Sequence, residues 1–427
     1  MAGVPDNPSG PFEGPEKLLE IWFAKSPADL PDASTSGDGR FGLRKVPRAV
    51  WEEMLDIVKC KILSAIEGTE VDAYLLSESS FFVAPHRLIL KTCGTTLNLL
   101  GLPRILEIAR IHANLDTVHR CFYSRKAFMF PDRQYGPHKD WNAEVEFLDN
   151  IFPNGAAYTI GKVNGDHWLL YLTNPDDTIA TAPNTPVTPS VPLPTEDEDD
   201  MLDDPQVDYT IEILMTHLSS HSRSQFFPDP NSAIDPEEAP KDHALDLSSA
   251  IGISDIFPKE LTSLDAYTFS PCGYSSNALI KWREDAGKHP ASNGEGYYTI
   301  HVTPEEGWSY ASFECNVPLP HNASRGPGEI PDLKTLIRRV VDIFEPGKIT
   351  LTLFVSSEGN ANAEEEDGQS AIEAAQRAFR AALTRPRADG TTPAGSKSFN
   401  PIYKRTDKIN YEFGGYDLAF ASFELRN

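Results

Sequence analysis

The stretch Leu75-Leu76-Ser77-Glu78-Ser79-Ser80-Phe81-Phe82-Val83, followed by Leu88-Ile89-Leu90-Lys91-Thr92-Cys93-Gly94, poses the question on which the fold turns. The apolar run Ala73–Leu76 reads as a strand that ends in three hydroxyls around one carboxylate. Serine and glutamate suit a turn between strands, and the chain resumes as a second strand at Leu88–Thr92. Period-two alternation puts Lys91 and Cys93 on one face of that strand. Taken alone, the segment is an ordinary strand, turn and strand, with a cysteine that usually fills a core.

Working outward, further strand-like runs lie at Tyr158–Val163, Trp168–Leu172, Tyr209–Leu214, Tyr297–Val302, Tyr310–Phe313, Ile349–Val355 and Leu418–Phe423. Helical patterns at Leu97–Ile111, Glu144–Ile151, Leu333–Phe344 and Ala371–Leu383 are interspersed with them without strict alternation. That arrangement predicts an α+β layering of mixed or antiparallel sheets with helices outside, not a doubly wound parallel sheet. Two early helices are also predicted. Leu18, Leu19, Trp22 and Phe23 share a helical face after Pro15, and so do Trp51, Met54, Leu55, Val58, Ile62 and Ile66. Ser26–Gly42 between them reads as a loop. Thr178–Pro205 is proline-rich and acidic, Asp285–Gly296 is polar, and Ser356–Gly368 is rich in Glu, Asn and Gly; all three read as mobile loop insertions.

The chain has 427 residues, of which 40% are hydrophobic and 10% aromatic, and a mean hydropathy of −0.36, as expected of a globular protein. Its length allows two domains or one large two-sheet unit. The N-terminus lacks a basic patch and an apolar core segment, and no window is apolar enough for a membrane span, so the cytoplasm is the expected compartment. Cys60, Cys93, Cys121, Cys272 and Cys315 are odd in number and form no CxxC pair, which predicts reduced thiols and no zinc ribbon. A net charge of −25 disfavours nucleic acid and is compatible with a cationic small substrate.

Two further features bear on chemistry. His301 lies in the otherwise apolar and β-branched strand Tyr298-Thr299-Ile300-His301-Val302, after the segment Phe269-Ser270-Pro271-Cys272-Gly273-Tyr274-Ser275. A buried, hydrogen-bonded structural histidine would explain it. Asp208, Thr210 and Glu212 share one face of a strand, where aligned carboxylates repel unless a cation or water lies among them. A solvent-facing strand would explain those.

Taken together, the motifs resemble the eukaryotic, fungal-type S-adenosylmethionine decarboxylases. Glu78-Ser79 within Leu-Ser-Glu-Ser-Ser, with Cys93 fourteen residues later in Lys-Thr-Cys-Gly-Thr-Thr, is similar to that family's processing site and active-site strand. Phe12-Glu13-Gly14-Pro15-Glu16-Lys17-Leu18-Leu19-Glu20 resembles its N-terminal motif, and Pro271–Ser275 with Thr299-Ile300-His301 its processing and catalytic motifs. Phe122–Lys126, Ile151–Tyr158 and Leu418–Phe423 extend the likeness. The interval from Ser275 to His301 is longer than in animal members.

The resemblance implies a single-domain, four-layer α/β/β/α sandwich of two antiparallel sheets flanked by helices. It implies self-cleavage between Glu78 and Ser79 into chains of 78 and 349 residues, leaving a covalent pyruvoyl group at position 79 as the cofactor in place of pyridoxal phosphate, with no metal. Ser79 is then the site of the Schiff base with substrate, Cys93 the proton donor, Ser275 and His301 the processing residues, and Glu13 and Glu16 site carboxylates. Phe12 and Phe269 would hold adenine, Glu305 the ribose, and Glu78 would contribute to substrate binding. Asp208, Thr210, Glu212 and Glu314, with Phe122, Ser124, Lys91 and Glu20, would form a site for putrescine as activator. A dimer of processed pairs is the assembly the resemblance suggests. Two other readings stay open: an inactive regulatory paralogue, which would be expected to have lost some of these residues, and a serine hydrolase, which would be expected to carry G-x-S-x-G. A plain binding module would leave the motifs unexplained.

Overall fold

The computed structural model describes residues 11–34, 40–77, 79–173, 179–180, 208–228, 239–282, 294–320, 329–385, 402–413 and 415–426. In chain order the strands are β1 (Lys17–Trp22), β2 (Ile62–Glu67), β3 (Asp72–Leu76), β4 (Ser79–Val83), β5 (Arg87–Thr92), β6 (Thr117–Val118), β7 (Arg120–Lys126), β8 (Gly155–Gly161), β9 (His167–Thr173) and β10 (Ile179–Ala180). They continue as β11 (Tyr209–Leu218), β12 (Thr262–Thr268), β13 (Tyr274–Trp282), β14 (Gly294–Thr303), β15 (Tyr310–Cys315), β16 (Pro346–Ser356), β17 (Tyr403–Phe413) and β18 (Tyr416–Leu425). Two eight-stranded antiparallel sheets result, in the orders β2-β3-β4-β5-β1-β7-β9-β8 and β12-β13-β14-β15-β11-β16-β18-β17; β6 and β10 pair separately.

The apolar clusters define the layers. One joins Trp51, Met54 and Leu55 of α1 (Arg48–Ile57), Ile105 and Ile108 of α2 (Leu102–Ala113) and Leu148 of α3 (Trp141–Asp149) to Leu19, Ile21, Phe81 and Leu90 of the first sheet. The short α4 (Ser220–Ser224) follows β11. A second cluster joins α5 (Pro240–Ile251), α6 (Leu333–Phe344) and α8 (Ala371–Leu383) to the second sheet. Two smaller ones lie between the sheets, around Trp22, Phe122, Leu214 and Phe420 and around Phe82, Ile89, Leu279 and Tyr297. The architecture is therefore the four-layer α/β/β/α sandwich.

Three local expectations fail. Leu18–Trp22 lies in strand β1 and not in a helix, and both faces of that strand are covered: Leu19 and Ile21 meet the helices while Trp22 meets the other sheet. A strand buried on both sides has no polar face to disclose its period. The second early helix stops at Ile57, and Ile62 and Ile66 belong to β2, paired with β3. Ser356–Gly368 is largely a helix, α7 (Ser357–Asp367), capped by the Ser356 hydroxyl, which accepts from the Gly359 N–H at 3.2 Å. Apart from Ile179–Ala180 and the start of β14, the other two expected insertions lie outside the described residues.

Candidate active site

Strand alternation sorts the chemistry between two layers. In β4, Phe82 faces the second sheet and Phe81 the helices, so Ser80 shares the inner face and Ser79 the helix-side face. The same rule puts Lys91, Glu16, Glu20 and Ser124 between the sheets and Lys17 on the helix side. Across the second sheet, direct pairing makes two adjacent inner rows: Ser275, His301, Ser312, Leu214 and Thr350, and next to it Asn277, Thr299, Glu314, Glu212 and Thr352.

The first row carries a hydroxyl and imidazole relay. His301 Nδ1 lies 2.9 Å from Ser275 Oγ, and its Nε2 lies 3.0 Å from Ser80 Oγ and 3.1 Å from Thr299 Oγ1. Ser80 Oγ also donates to Asn277 Oδ1 at 2.6 Å, and Asn277 Nδ2 donates to the Tyr74 carbonyl at 3.1 Å. Burial, aided by the Lys91 charge, holds His301 down to about 3, so the ring is a neutral base at physiological pH. Ser80, Asn277 and Thr299 were not expected from sequence. Period two from Ser275 and His301 would have found the last two, and a register for β4 would have found Ser80.

Ser79 is fully buried, and its Oγ accepts from the Cys93 N–H at 3.3 Å. Pairing puts Ser79, Thr92 and Lys17 side by side across β4, β5 and β1. Cys93 follows β5 directly, and its carbonyl accepts from Thr96 Oγ1 at 2.7 Å. The structure brings Ser79 and Cys93 together; the hydroxyl contacting His301 is the neighbouring one, on Ser80. Glu78 lies outside the described residues.

Around this centre, the Phe12 N–H donates to Glu305 Oε2 at 3.2 Å, and a Cβ on Gly94 would touch the Phe12 ring at 3.8 Å. Phe269 packs on Tyr267 in the loop before Ser275, with ring centroids 5.3 Å apart. Glu16 is buried; it accepts from Ser312 Oγ and, at 2.7 Å, from Tyr310 Oη, and burial raises its pKa against the pull of Lys91. Glu13 turns the other way and accepts the backbone N–H groups of Met129 and Phe130, both at 2.8 Å, which fixes the chain after β7.

The second row leads into a chain of carboxylates. Lys91 Nζ donates to Glu314 at 2.6 Å and to Glu212 at 3.5 Å, while Tyr297 Oη donates to Glu314 at 2.7 Å. Arg87 bridges Asp208 at 3.0 Å and Glu20 at 3.4 Å; Tyr416 Oη donates to Asp208 at 2.8 Å and Trp22 Nε1 to Glu20 at 2.7 Å. Burial raises Glu20 and Glu212 to about 7 despite these cations. Burial alone would depress Lys91, but Glu314, Glu16 and Glu212 outweigh it and raise its pKa. Phe122 packs edge-on against Phe354 and Tyr416, and Ser124 is buried beside Leu18. Thr210 pairs with Phe354 at the half-buried start of β11. Glu16, Glu20, Asp208, Glu212 and Glu314 thus face Lys91 and Arg87, more carboxylates than cations. Among the described residues, no group of three or more His, Cys, Asp or Glu could hold a metal ion, and no helix is long and apolar enough to cross a membrane.

Fold and site together define a class: a two-sheet sandwich enclosing a neutral imidazole relay and a cation-bridged carboxylate chain, with a buried serine and a thiol at the ends of adjacent strands. The chain belongs to the adenosylmethionine decarboxylase family, whose model matches residues 9–424. It is 40% identical to the S-adenosylmethionine decarboxylase proenzyme of Xenopus laevis over 346 residues, covering 81% of this chain and 83% of that protein. The proenzyme of the same name from Drosophila melanogaster is 38% identical over 82% of this chain and 84% of its own, and that from Saccharomyces cerevisiae 35% identical over 82% and 83%. A solved structure titled Trypanosoma brucei AdoMetDC-delta26 monomer aligns over 81% of this chain and 99% of its own, at 19% identity and a TM-score of 0.46.

Proposed function

We propose that this chain is a proenzyme that cuts itself between Glu78 and Ser79 and then decarboxylates S-adenosylmethionine to its aminopropyl-donating product and CO2 for polyamine synthesis. The observation that carries this reading is the neutral His301, reaching from the second sheet and held between Ser275 and Ser80, the residue that follows the reacting serine. In processing, the Ser79 hydroxyl attacks the Glu78 carbonyl and the peptide C–N bond gives way to an ester. His301 takes the α-proton of residue 79, and elimination releases a small chain ending in the Glu78 carboxylate. Water then replaces the nitrogen at position 79 with a keto oxygen, and ammonia leaves. Ser275, opposite His301, holds the ring and the adduct in register.

Ser79 suits this origin of a pyruvoyl group: its side chain is sealed from solvent, and the Cys93 N–H is already aimed at the oxygen that becomes reactive. The pyruvoyl carbonyl supplies the electron sink that decarboxylation at an amino-acid Cα requires, the role pyridoxal phosphate plays elsewhere. The chain's own residues do the rest. Cys93 holds the proton destined for the substrate carbon, Phe12 and Phe269 offer ring faces to adenine beside a sulfonium, and Glu305 is held near Phe12 for the ribose. The surplus of carboxylates between the sheets supports binding of putrescine, a dication, at Asp208, Glu212 and Glu314 with Glu20 alongside. The cytoplasm is the compartment we assign.

Intact-mass analysis of the purified protein tests this: two species divided between Glu78 and Ser79, the larger sensitive to borohydride or hydroxylamine, are expected. A folded single chain with no carbonyl-reactive end and no CO2 release from S-adenosylmethionine would overturn it.

A further inference from the structure

Lys17 is fully buried, yet neither the relay nor the carboxylate chain uses it. It faces the helix side of β1, in the cross-strand row that contains Thr92 and Ser79. Its Nζ donates to the carbonyl of Gly94 at 2.9 Å, and the N–H of the same glycine donates to the Glu13 carbonyl at 3.0 Å. Gly94 has a φ of +62°, a left-handed conformation that an ordinary residue adopts only under strain, so this turn needs external ties to stay in one geometry. Gln134 Nε2 is a weaker second donor to the Gly94 carbonyl, at 3.5 Å. On the other side of Cys93, Thr96 Oγ1 ties the cysteine carbonyl at 2.7 Å, and Asn98 Nδ2 spans the Lys17 carbonyl and Thr92 Oγ1. The ammonium also lies over the Phe128 ring, with Nζ 5.2 Å from the ring centre. Burial lowers Lys17 to about 8, with Cys93, Glu144 and Glu13 pulling it back up, so it remains mostly a cation at neutral pH.

We propose that Lys17 is a positioning residue for Cys93: through the Gly94 carbonyl it fixes the turn that aims the thiol. The proposal rests on the reading of Cys93 as the proton donor. A thiol aimed away from the substrate carbon both slows the productive proton transfer and leaves time for protonation at the pyruvoyl, which inactivates the enzyme. Lys17 therefore sets rate and fidelity together, and it does so from the segment that becomes the small chain, across the cut, on a residue of the large one.

The test uses the full-length, self-processed protein with S-adenosylmethionine as substrate. Wild type must first yield two chains and release CO2; if it does not, the functional reading fails, independently of Lys17. Given an active wild type, Lys17→Met should still be cut, should lose roughly ten- to a hundredfold in kcat with KM little changed, the scale expected for a misplaced reacting group, and should complete fewer turnovers before inactivation. Lys17→Gln, which keeps an N–H donor, should recover part of both losses. Wild-type kcat and turnover number in Lys17→Met would overturn the proposal, as would Lys17→Gln being no better than Lys17→Met. Should Lys17→Met not fold, Thr96→Val, which cuts the other tie to the same turn, must show the same drop in kcat and turnover number; wild-type behaviour there would overturn the proposal equally.

Discussion

The two inner rows of the second sheet lie side by side and are built on opposite electrostatic principles. The row through Ser275 and His301 is neutral: the hydroxyls of Ser275, Ser80 and Thr299 satisfy the ring, and burial keeps the proton off it. The row through Glu314 and Glu212 is acidic, and Lys91 reaches across from the first sheet to place a cation between its two acids. Directly paired carboxylates repel, so the second row depends on a cation where the first depends on geometry. Both rows draw a partner from the first sheet, Ser80 for the imidazole and Lys91 for the acids, but only the acidic row needs that partner to carry charge.

That contrast can be broken by substitution. The largest effect is expected from Ser79→Ala, which should remain one chain of full mass without activity while keeping its fold. A split product would remove Ser79 from the chemistry. Next is Lys91→Met. It leaves Glu314 and Glu212 facing each other without their cation, and losing one partner of a buried pair typically costs about 3–5 kcal/mol. Thermal unfolding should show a large drop, which Glu314→Gln in the same background partly reverses; an unchanged midpoint would mean that Lys91 is not what holds the acidic row.

The rows should also separate by pH. Glu20 and Glu212 have folded-state values of about 7, above the ordinary 4.5, so the folded protein holds protons there that the unfolded chain has released. Their stabilising contribution is full below about pH 4.5 and is lost as pH rises through 7. His301, His86 and His138 are held by burial at about 3, 3 and 4, below the ordinary 6.5; their contribution is present above 6.5 and lost as pH falls toward those values. Between pH 8 and 6 the acidic row therefore titrates and the relay does not. Glu212→Gln should be more stable relative to wild type at pH 8 than at pH 6, and stimulation by putrescine should be stronger at pH 8. A pH-independent difference would undo the assignment.

The smallest effect sharpens the neutral row. Ser80→Ala removes one hydrogen bond to His301, about 1 kcal/mol, so the rate of self-cleavage should fall roughly fivefold without being abolished. A rate equal to wild type would reduce Ser80 to packing.

How much of this was legible in the sequence depended on burial. Strands with a marked apolar run, such as Ile349–Val355 and Leu418–Phe423, were readable, as were the amphipathic helices Leu333–Phe344 and Ala371–Leu383. β1 was misread because both of its faces are covered. β4, β7 and β13 escaped because inner-face polar residues such as Ser80, Ser124 and Asn277 interrupt the apolar pattern. The candidate site residues rest on resemblance, motif by motif, and a residue without a role in those motifs carries no such signal. Ser80 was quoted as part of the cleavage motif, yet only the register of β4 with β5 aims it at His301. Lys17 lies within the N-terminal motif, and only the fold sets its ammonium beside the Gly94 carbonyl.

β1 runs between β5 and β7, paired along its length with both, and β2 and β3 fill the same sheet's edge. Glu295 of the opposite sheet grips the backbone N–H groups of Glu70 and Val71 at 2.8 and 3.2 Å. If the backbone opens ahead of Ser79, as proposed, the severed segment would stay woven into the centre of its sheet. Unfolding then becomes a dissociation into two molecules, and reassembly a second-order encounter between partners that were born as one. A mature enzyme that melts in dilute solution should return far more slowly than an uncut Ser79→Ala chain, so the cut exchanges reparability for chemistry.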